Sequence, residues 1–411
     1  MINYFHGKLN NGFMALYSGR MILRTATNLL GIFLPIFLYE LFAFNVKYVI
    51  IYYLIGHFAY ALSVAWGCRF LNLIGLRRSL RITLVFGAMY YFSFYLLSKL
   101  KIFVDFNAVD KQNIFLLLAV SLFLLTIHRI MYWTPVHTDM AKFMNKKNRA
   151  KQLSLMEATT AFLGAVGPIL AGLILMKYNY DVLFIIAIVC YLSALIPFMY
   201  LPRTKERFSW TYSETWQEFF SKKRRKAVLA FLGDGAEAAV GIVIWPIFIF
   251  EVLKGNYLEV GIISSLVVVA AIVLQLFMGK FADASSKQKM IHWGSALYAL
   301  GWFIKIFVLT AFQIFVVSAF HSFTKIFART PFDALTYEKA ADQGHFVDEF
   351  TVIHEMAIQF GKGLMLVFTL ILISFVSLEW TFLLAAIASL AMNFLADEKA
   401  IKKGRHSGSR Y

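Results

Sequence analysis

Cysteine and charge are both scarce in this chain of 411 residues. The two cysteines, Cys68 and Cys190, are too few for a disulfide framework or a thiolate metal site. Only 15% of the residues are charged while 60% are hydrophobic, so the apolar surface exceeds what a soluble core of this size could bury. The composition therefore excludes an ordinary soluble domain and indicates a polytopic membrane protein.

Twelve apolar stretches are long enough to cross roughly 30 Å of hydrocarbon as α-helices. The sequence thus predicts an all-α membrane protein, and we number the stretches as the first to twelfth spans. They cover residues 21–43, 47–67, 81–99, 113–136, 153–176, 182–201, 227–253, 259–279, 290–309, 311–330, 350–374 and 380–396.

Basic residues outnumber acidic ones by 40 to 23. They concentrate in alternate loops, as the rule for cytoplasmic segments requires when both chain termini lie inside. This pattern predicts a multi-pass protein of a cytoplasmic (inner) membrane, with both termini cytoplasmic and the lipid bilayer as its surroundings. It argues against a nucleic-acid partner, because topology and attraction to anionic lipid already explain the charge.

The chain is internally duplicated. The string GIFLPIFLYEL, which contains Pro35, returns as GIVIWPIFIFEVL, which contains Pro246, at a shift of about 211 positions. The basic turn NLIGLRRSL precedes DASSKQKM by the same shift, and the segment from Arg129 to a Thr-Pro pair recurs from Lys325. Two similar six-span halves are typical of secondary transporters, in which one half rocks against the other around a central site.

The longest inner loop joins the two halves. Its residues Trp210 and Trp216, followed by a basic run from 222 to 226, predict a helix lying in the membrane interface. A solvated linker whose basic end fixes the topology is the alternative. The predicted divisions are a first bundle at 1–201, a linker at 202–226, a second bundle at 227–398 and a disordered basic tail at 399–411.

The loop after the second span of each half resembles the signature of the major facilitator superfamily, which runs glycine, three residues, aspartate and a short basic turn. The second copy, GKFADASSKQK, contains Gly279, Asp283 and Lys287. The first copy, CRFLNLIGLRRS, has Asn72 in the place of the aspartate. It keeps Gly75, Arg77 and Arg78.

This resemblance implies the fold of that family, with twelve transmembrane helices in two pseudo-two-fold-related six-helix bundles. It also implies that the signature aspartate and basic residues bind across the cytoplasmic interface in the outward-open state. A carboxylate near a helix N-terminus gains from the helix dipole, whereas Asn72 brings no charge. We therefore expect a weaker latch in the first half.

The fifth span contains GAVGPILAG, with Gly167 and Pro168, which is similar to the family motif associated with antiporters. On this interpretation, export is slightly favoured over uptake. The alternative is tight helix packing alone, since small residues four apart let helix backbones approach closely.

Charged side chains inside the spans are the candidate substrate and coupling residues, because a charge in the bilayer is costly unless it is paired or faces water. The resemblance implies that the first, fourth, seventh and tenth spans line the cavity. These spans carry Arg24, Arg129, the pair Asp234 and Glu237, and Lys325. Asp234 and Glu237 share a helix face, and the duplication places Arg24 at a matching height. We predict that Arg24 pairs with one of these acids.

Each half also offers an acid in its fifth span or the equivalent eleventh. Glu157 accompanies Arg129, and Glu355 accompanies Lys325. One interpretation is a structural salt bridge near each inner gate. The other is a carboxylate that takes up a proton during the cycle, for which Glu237 and Glu355 are the first candidates.

Two uncharged residues complete the candidate site. Asn28 either binds substrate or ties helices together, and Trp133 either forms an aromatic cavity wall or anchors the span at the interface. Enzyme motifs fail: HEMAI, which begins at His354, has Ile358 where a second zinc ligand is needed, so no metal or cofactor is expected.

The sequence favours a monomeric, proton-coupled transporter of a small organic molecule. Two alternatives stay open. One is a translocator of lipid or a lipid-like amphiphile, suggested by the wealth of Phe and Tyr. The other is a transporter-like receptor that moves nothing.

Overall fold

The computed structural model describes residues 10–100, 111–144, 149–204, 208–282, 287–341 and 347–396. Within these ranges the chain is helical and has no β-strand. Ten described helices are long and apolar enough to cross a membrane, and the bent pair Asn11–Leu30 and Phe33–Leu41 forms an eleventh span. The remaining predicted span is the less apolar helix Lys287–Lys305. The predicted tail at 399–411 lies outside the described residues.

The helices follow the predicted spans in order. After the bent first span, the first half contains Val46–Ile74, Leu76–Lys99, Lys111–Phe143, Arg149–Lys177, and Tyr180–Ser193 continued by Leu195–Met199. The second half contains Arg225–Ala239, Val240–Ile244 and Trp245–Val252 as its seventh span, then Tyr257–Ala282, Lys287–Lys305, Ala311–Ala341 and Val347–Leu372. The twelfth span runs through Leu378–Trp380, Thr381–Ser389, Leu390–Met392 and Asn393–Ala396.

The two ends of the helical bundle can be distinguished by the linker. The first span begins next to the linker, because a Cβ atom added at Gly12 would lie 2.9 Å from Pro202. We call this end the linker side. The opposite end, where the first span ends at Leu41 and the seventh at Val252, is called the distal side.

The repeated prolines interrupt the first and seventh spans at matching positions. Proline cannot donate to the carbonyl four residues earlier and its ring crowds that carbonyl, which favours a bend or a bulge in the helix before it. The first span bends by 46° between Leu30 and Phe33, just before Pro35. The seventh span forms a π-helical segment at Val240–Ile244, just before Pro246. Each proline thus falls in the first turn of the helix that follows.

Each half has its own aromatic core near the distal side. In the first half, the ring of Phe184 packs edge-on against Phe37, with 5.0 Å between centroids. In the second half, Phe382 packs edge-on against Phe248 at 5.1 Å and lies 5.8 Å from Trp302. Edge-to-face packing of this kind favours a single arrangement of the helices within each half.

Two helix crossings join the halves. The second span packs against the eleventh, and the fifth packs against the eighth. In the second crossing, a Cβ atom added at Gly172 would lie 2.7 Å from the carbonyl oxygen of Tyr257, and Gly261 lies directly against Pro168. Ile169 also donates its backbone N–H to Ser265 Oγ across this crossing. The glycine and proline motif therefore lets the backbones of the two halves touch.

The close approach predicts a sharp difference between two glycines of the same helix. Gly172→Ala should destabilise the protein by about 2 kcal/mol, because the added methyl group meets backbone that cannot move aside. Gly164→Ala is the matched control, since its added atom would be 3.7 Å from the nearest neighbour, Val268. Thermal unfolding in detergent measures the effect. Equal melting temperatures for the two variants would contradict the close crossing.

The linker contains a short helix, Tyr212–Phe219. Thr211 caps it by accepting from Glu214 N, while the Glu214 carboxylate accepts from Thr211 N. This backbone hydrogen bond lowers the pKa of Glu214. The ring of Trp216 packs against Phe360 of the eleventh span at 5.6 Å. A helix thus forms where the sequence predicts one, and it packs on the second half; its place in the membrane interface stays a prediction.

Candidate functional site

The two carboxylates of the seventh span are buried, and each is paired with a base of the tenth span. Arg329 Nη1 donates to Asp234, and Arg329 Nε lies 3.1 Å from Asp333 Oδ1. Lys325 Nζ lies 3.8 Å from Glu237 Oε1. Asp234 and Glu237 are 2% and 1% exposed. The attraction within each pair therefore offsets the free-energy cost of burying the charged carboxylate.

The predicted pairing of Arg24 with Asp234 or Glu237 is not the one formed. Arg24 lies instead within electrostatic range of Glu157, with the like-charged Arg20 as another neighbour. The duplication misleads at this position, because its counterpart Gly235 packs directly against the backbone of Ile358 and leaves no room for a side chain. The two halves therefore use this helix face differently.

Glu237 is also the centre of a buried polar cluster in the second half. Tyr298 donates its hydroxyl to Glu237, and Trp302 Nε1 donates to the same oxygen at 3.1 Å. The ammonium group of Lys305 lies 3.9 Å from the ring centroid of Trp302 and 4.0 Å from that of Trp245. Two indole faces hold this cation by cation–π attraction, and Glu237 provides electrostatic support.

The acid of the eleventh span faces the first half. Glu355 is buried, and its carboxylate interacts electrostatically with Lys362 of its own helix and with Arg129 of the fourth span. One turn further on, Gln359 Oε1 lies 2.7 Å from His57 Nδ1 of the second span. This group links the two halves through polar contacts where the second and eleventh spans cross.

The predicted acid and base pairs are therefore not the ones formed. Lys325 contacts Glu237 rather than Glu355, and Arg129 interacts with Glu355 rather than with Glu157. Glu157 is exposed and lies within electrostatic range of Asp333. The charged residues still gather around the region between the halves, but with partners that the sequence did not indicate.

A cavity of about 250 Å³ lies against the first half and touches the seventh span. Arg24 and Arg129 both line it, together with Trp133. Gly31, at the bend of the first span, and its repeat counterpart Ile242, in the π-helical segment, also line it. Interrupted helices that face a cavity are a recurring feature of transporter binding sites.

An aromatic wall covers one side of this cavity. Its rings form a continuous series of contacts, with 5.2 Å between Tyr91 and Tyr191, 5.3 Å between Tyr191 and His128, and 5.5 Å between His128 and Tyr132. Trp133 follows at 5.3 Å from Tyr132. The structure thus places Trp133 in the cavity wall.

Asn28 holds two helices of the first half close together. A Cβ atom added at Gly167 of the fifth span would be 3.0 Å from the backbone and the side chain of Asn28. This position therefore serves helix packing between the first and fifth spans. Asn28 does not line the 250 Å³ cavity.

The first signature loop contacts the linker. The side chain of Asn72 donates from Nδ2 to Phe208 O at 2.7 Å and accepts from Phe208 N at 3.0 Å. An amide can do both, whereas an ionised carboxylate could only accept. Asn72 thus fixes the linker by two neutral hydrogen bonds in place of a charged latch.

The rest of the signature forms a basic turn on the linker side. Gly75 has φ +82°, a conformation that favours glycine. Arg77 donates to Met199 O at 3.2 Å, at the end of the sixth span, and Arg78 is exposed. In the second copy, Gly279 lies in the helix Tyr257–Ala282 and Lys287 begins the next helix, while Asp283 lies outside the described residues.

Two matching hydrogen bonds close the distal side. Tyr39 of the first span donates to Glu251 of the seventh, and Tyr257 of the eighth span donates to Glu40 of the first. Glu40 and Glu251 are repeat counterparts, so each half contributes an equivalent acceptor to the other. We call these four residues the distal clamp. It joins the two halves where the distal entrance would open.

Sequence reasoning missed several of these residues. Arg329 lies at the end of the apolar part of the tenth span, and its signal was the i,i+4 spacing to Asp333. Tyr39 and Tyr257 carried no signal, because a tyrosine near the end of a span is usually an interface anchor. Within the described ranges, no three His, Cys, Asp or Glu side chains gather as a metal site.

Twelve helical spans, duplicated halves and a charged cavity between them define a multi-pass membrane transport protein. Comparison with known families agrees with this class. The sequence model of the Major Facilitator Superfamily matches residues 16–236 and again 226–408. The chain belongs to this superfamily of transporters.

Solved structures show the same fold. A peptide transporter (POT) crystallised in complex with sulfate is 13% identical, with a TM-score of 0.67 and 94% of each chain covered. The transporter FucP in its outward conformation is 13% identical, with a TM-score of 0.62, 93% of this chain and 97% of that chain covered. No curated protein matches the sequence.

Proposed function

We propose that this protein carries a small organic solute across a membrane by alternating access, coupled to protons. The observation that carries the proposal is the cavity between the halves, which contains Arg24 and Arg129 and lies beneath a closed distal clamp. A site enclosed on one side by contacts between two rocking halves is what alternating access requires.

The accessible side of the site is the linker side in this state. The side chains of Lys325, Arg329 and Asp333 are 42%, 33% and 45% exposed, and Glu157 is exposed as well. Release of the distal clamp, with closure of these charged segments against each other, would give the opposite state. A carrier needs two such states that differ in the contacts between its halves.

Proton coupling is assigned to Glu237 and Glu355. Both are buried, and each has cationic neighbours, Lys325 for Glu237 and Lys362 for Glu355. When the halves move, Arg129 of the first half would leave Glu355. A shift of the tenth span within the second half would draw Lys325 away from Glu237. Either loss of a cation would favour uptake of a proton by the carboxylate. The carboxylate would release it when the partner returns.

The remaining features of the proposal concern orientation and assembly. The linker side, with its basic loops, is cytoplasmic, so both termini are inside and the membrane is a cytoplasmic one. The glycine and proline motif of the fifth span slightly favours antiport and export. The boundaries at 1–201, 202–226 and 227–398 are retained as proposed divisions, and the protein is proposed to act as a monomer.

The coupling proposal predicts proton movement that depends on a solute. In proteoliposomes with a trapped pH indicator, a transported solute should change the internal pH, and Glu237→Gln and Glu355→Gln should each lower this flux at least tenfold. Glu259→Gln is the control, because Glu259 is exposed near the start of the eighth span. Unchanged flux in both buried variants would remove these carboxylates from the coupling mechanism.

The same vesicles distinguish the alternatives. A lipid or amphiphile translocator would move labelled lipid between leaflets without any soluble solute. A transporter-like receptor would do neither and would only bind. Movement of a solute without lipid scrambling supports the proposed function.

A further inference from the structure

The charged side chains that line the central cavity are all basic. Arg24 and Arg129 contribute two guanidinium groups, and the described residues that line the cavity include no carboxylate. A guanidinium stays ionised under all ordinary conditions. The cavity therefore has a positive potential that it does not itself compensate.

The carboxylates elsewhere between the halves are already engaged. Asp234 and Asp333 are held by Arg329, and Glu237 lies near Lys325. Their negative charge is thus largely balanced within the second half. It cannot also neutralise the two cavity arginines of the first half.

Glu355 and Glu157, the two other acids near the cavity arginines, do not neutralise them either. Glu355 interacts with Lys362 as well as with Arg129. Glu157 attracts Arg24 but is exposed, so solvent screens this attraction. In the part of the chain that the structure describes, neither cavity arginine has a carboxylate oxygen within 4.0 Å. Both guanidinium groups can therefore form direct ion pairs with a ligand.

The surroundings of the two arginines fit an organic molecule. Tyr53, Tyr90, Tyr91, Tyr132 and Tyr191 line the cavity, and each is less than one-tenth exposed. Their faces offer apolar contact and their hydroxyl groups offer hydrogen bonds at low conformational cost. The volume of about 250 Å³ restricts the ligand to a small molecule.

We propose that this cavity binds a small organic anion, with its carboxylate, phosphate or sulfonate group held by Arg24 and Arg129 and its body lying against the tyrosines. An oxyanion accepts paired hydrogen bonds from guanidinium groups, and these are among the strongest that a protein forms. The inference rests on the proposed function, because it assigns a substrate class to the same site. It adds the sign of the substrate charge, which the sequence left open.

The test is equilibrium binding to the purified protein, measured by thermal shift with probes that differ in charge and share one ring. The probes are benzoate, phenyl phosphate, benzamide and benzylamine. We expect at least one of the two anions to raise the melting temperature, and neither benzamide nor benzylamine to do so. A panel in which only benzylamine or benzamide stabilises, or in which no probe stabilises, would overturn the proposal.

Substitutions of the two cavity arginines test whether the anion binds in this cavity. Arg24→Gln and Arg129→Gln should each weaken binding of the stabilising anion by about tenfold or more, since each removes a charge-assisted contact. Arg24→Lys should keep part of the affinity, because it keeps the charge. Arg69→Gln is the control, as Arg69 is exposed and does not line the cavity. Equal loss in the control would overturn the assignment to the cavity.

Binding and transport can fail separately. The unliganded melting temperature of each variant shows whether it is folded. Anion binding without solute-dependent flux would support the site and contradict transport. Proton flux driven only by cationic or neutral solutes would support transport and contradict the anion site.

Discussion

Glu237→Gln should lower the free energy of unfolding by about 3–5 kcal/mol, the range found when one member of a buried charge pair is removed. Lys305 is 2% exposed between two tryptophan rings, and Glu237 is the acid that interacts with it. Without that acid, the ammonium group stays buried with only the rings to stabilise it. Thermal or denaturant unfolding in detergent measures the loss.

A second substitution separates this cause from a general disturbance. In Glu237→Gln combined with Lys305→Met, the buried cation is gone, so most of the lost stability should return. Glu259→Gln, at an exposed position, should stay within about 0.5 kcal/mol of the parent protein. If the double variant were no more stable than Glu237→Gln alone, the two side chains would not be coupled.

Tyr39→Phe combined with Tyr257→Phe should shift the protein towards a distal-open state by at least roughly 100-fold. Each substitution removes a hydrogen bond to a carboxylate worth about 1.5–3 kcal/mol, and every 1.4 kcal/mol is about a factor of ten in population. Both bonds cross between the halves, so the proposed distal-open state would lack them. Their loss therefore destabilises the distal-closed state selectively.

The shift can be measured as a distance between spin labels. Labels at Tyr178 and Phe375, both exposed on the distal side, report how far the halves are apart there. The clamp variant should give a longer distance than the parent protein. Tyr48→Phe is the control, because Tyr48 is exposed on the same side and belongs to no clamp bond. An identical distance distribution in the clamp variant would mean that these hydrogen bonds do not hold the entrance closed.

The twelve spans and the duplication could be predicted because they depend on local and cumulative properties of the chain. A long apolar run must cross the bilayer as a helix, whatever its neighbours are. The helix boundaries were less accurate on the linker side. The fourth and tenth spans continue to Phe143 and Ala341, because polar residues extend a helix beyond the hydrocarbon at little cost.

The sequence contains a signal for the interruptions of the first and seventh spans. Pro35 and Pro246 mark the duplication, and a proline inside an apolar helix favours a bend or bulge one turn before it, although Pro168 lies within the continuous helix of the fifth span. Their equivalent positions place Gly31 and Ile242 at the same cavity. A proline at the same depth in both halves of a duplicated chain therefore indicates where the cavity lies.

The partners of the charged residues could not be predicted. The spacing of Asp234 and Glu237 fixes their common helix face, but the direction of that face depends on how the other eleven spans pack. The side chain that reaches Asp234 is Arg329, which lies where the tenth span becomes polar. Long side chains cross several ångströms between helices, so similar depth alone does not determine a pair.

A cross-link across the distal clamp tests alternating access most directly. Cysteines at Tyr39 and Glu251, in a protein with Cys68→Ser and Cys190→Ser, can be joined by a short reducible thiol cross-linker. With the link intact, solute-dependent proton flux in proteoliposomes should stop while ligand binding from the linker side persists, and reduction should restore the flux. Flux at the parent rate through a fully linked protein would contradict the proposed mechanism.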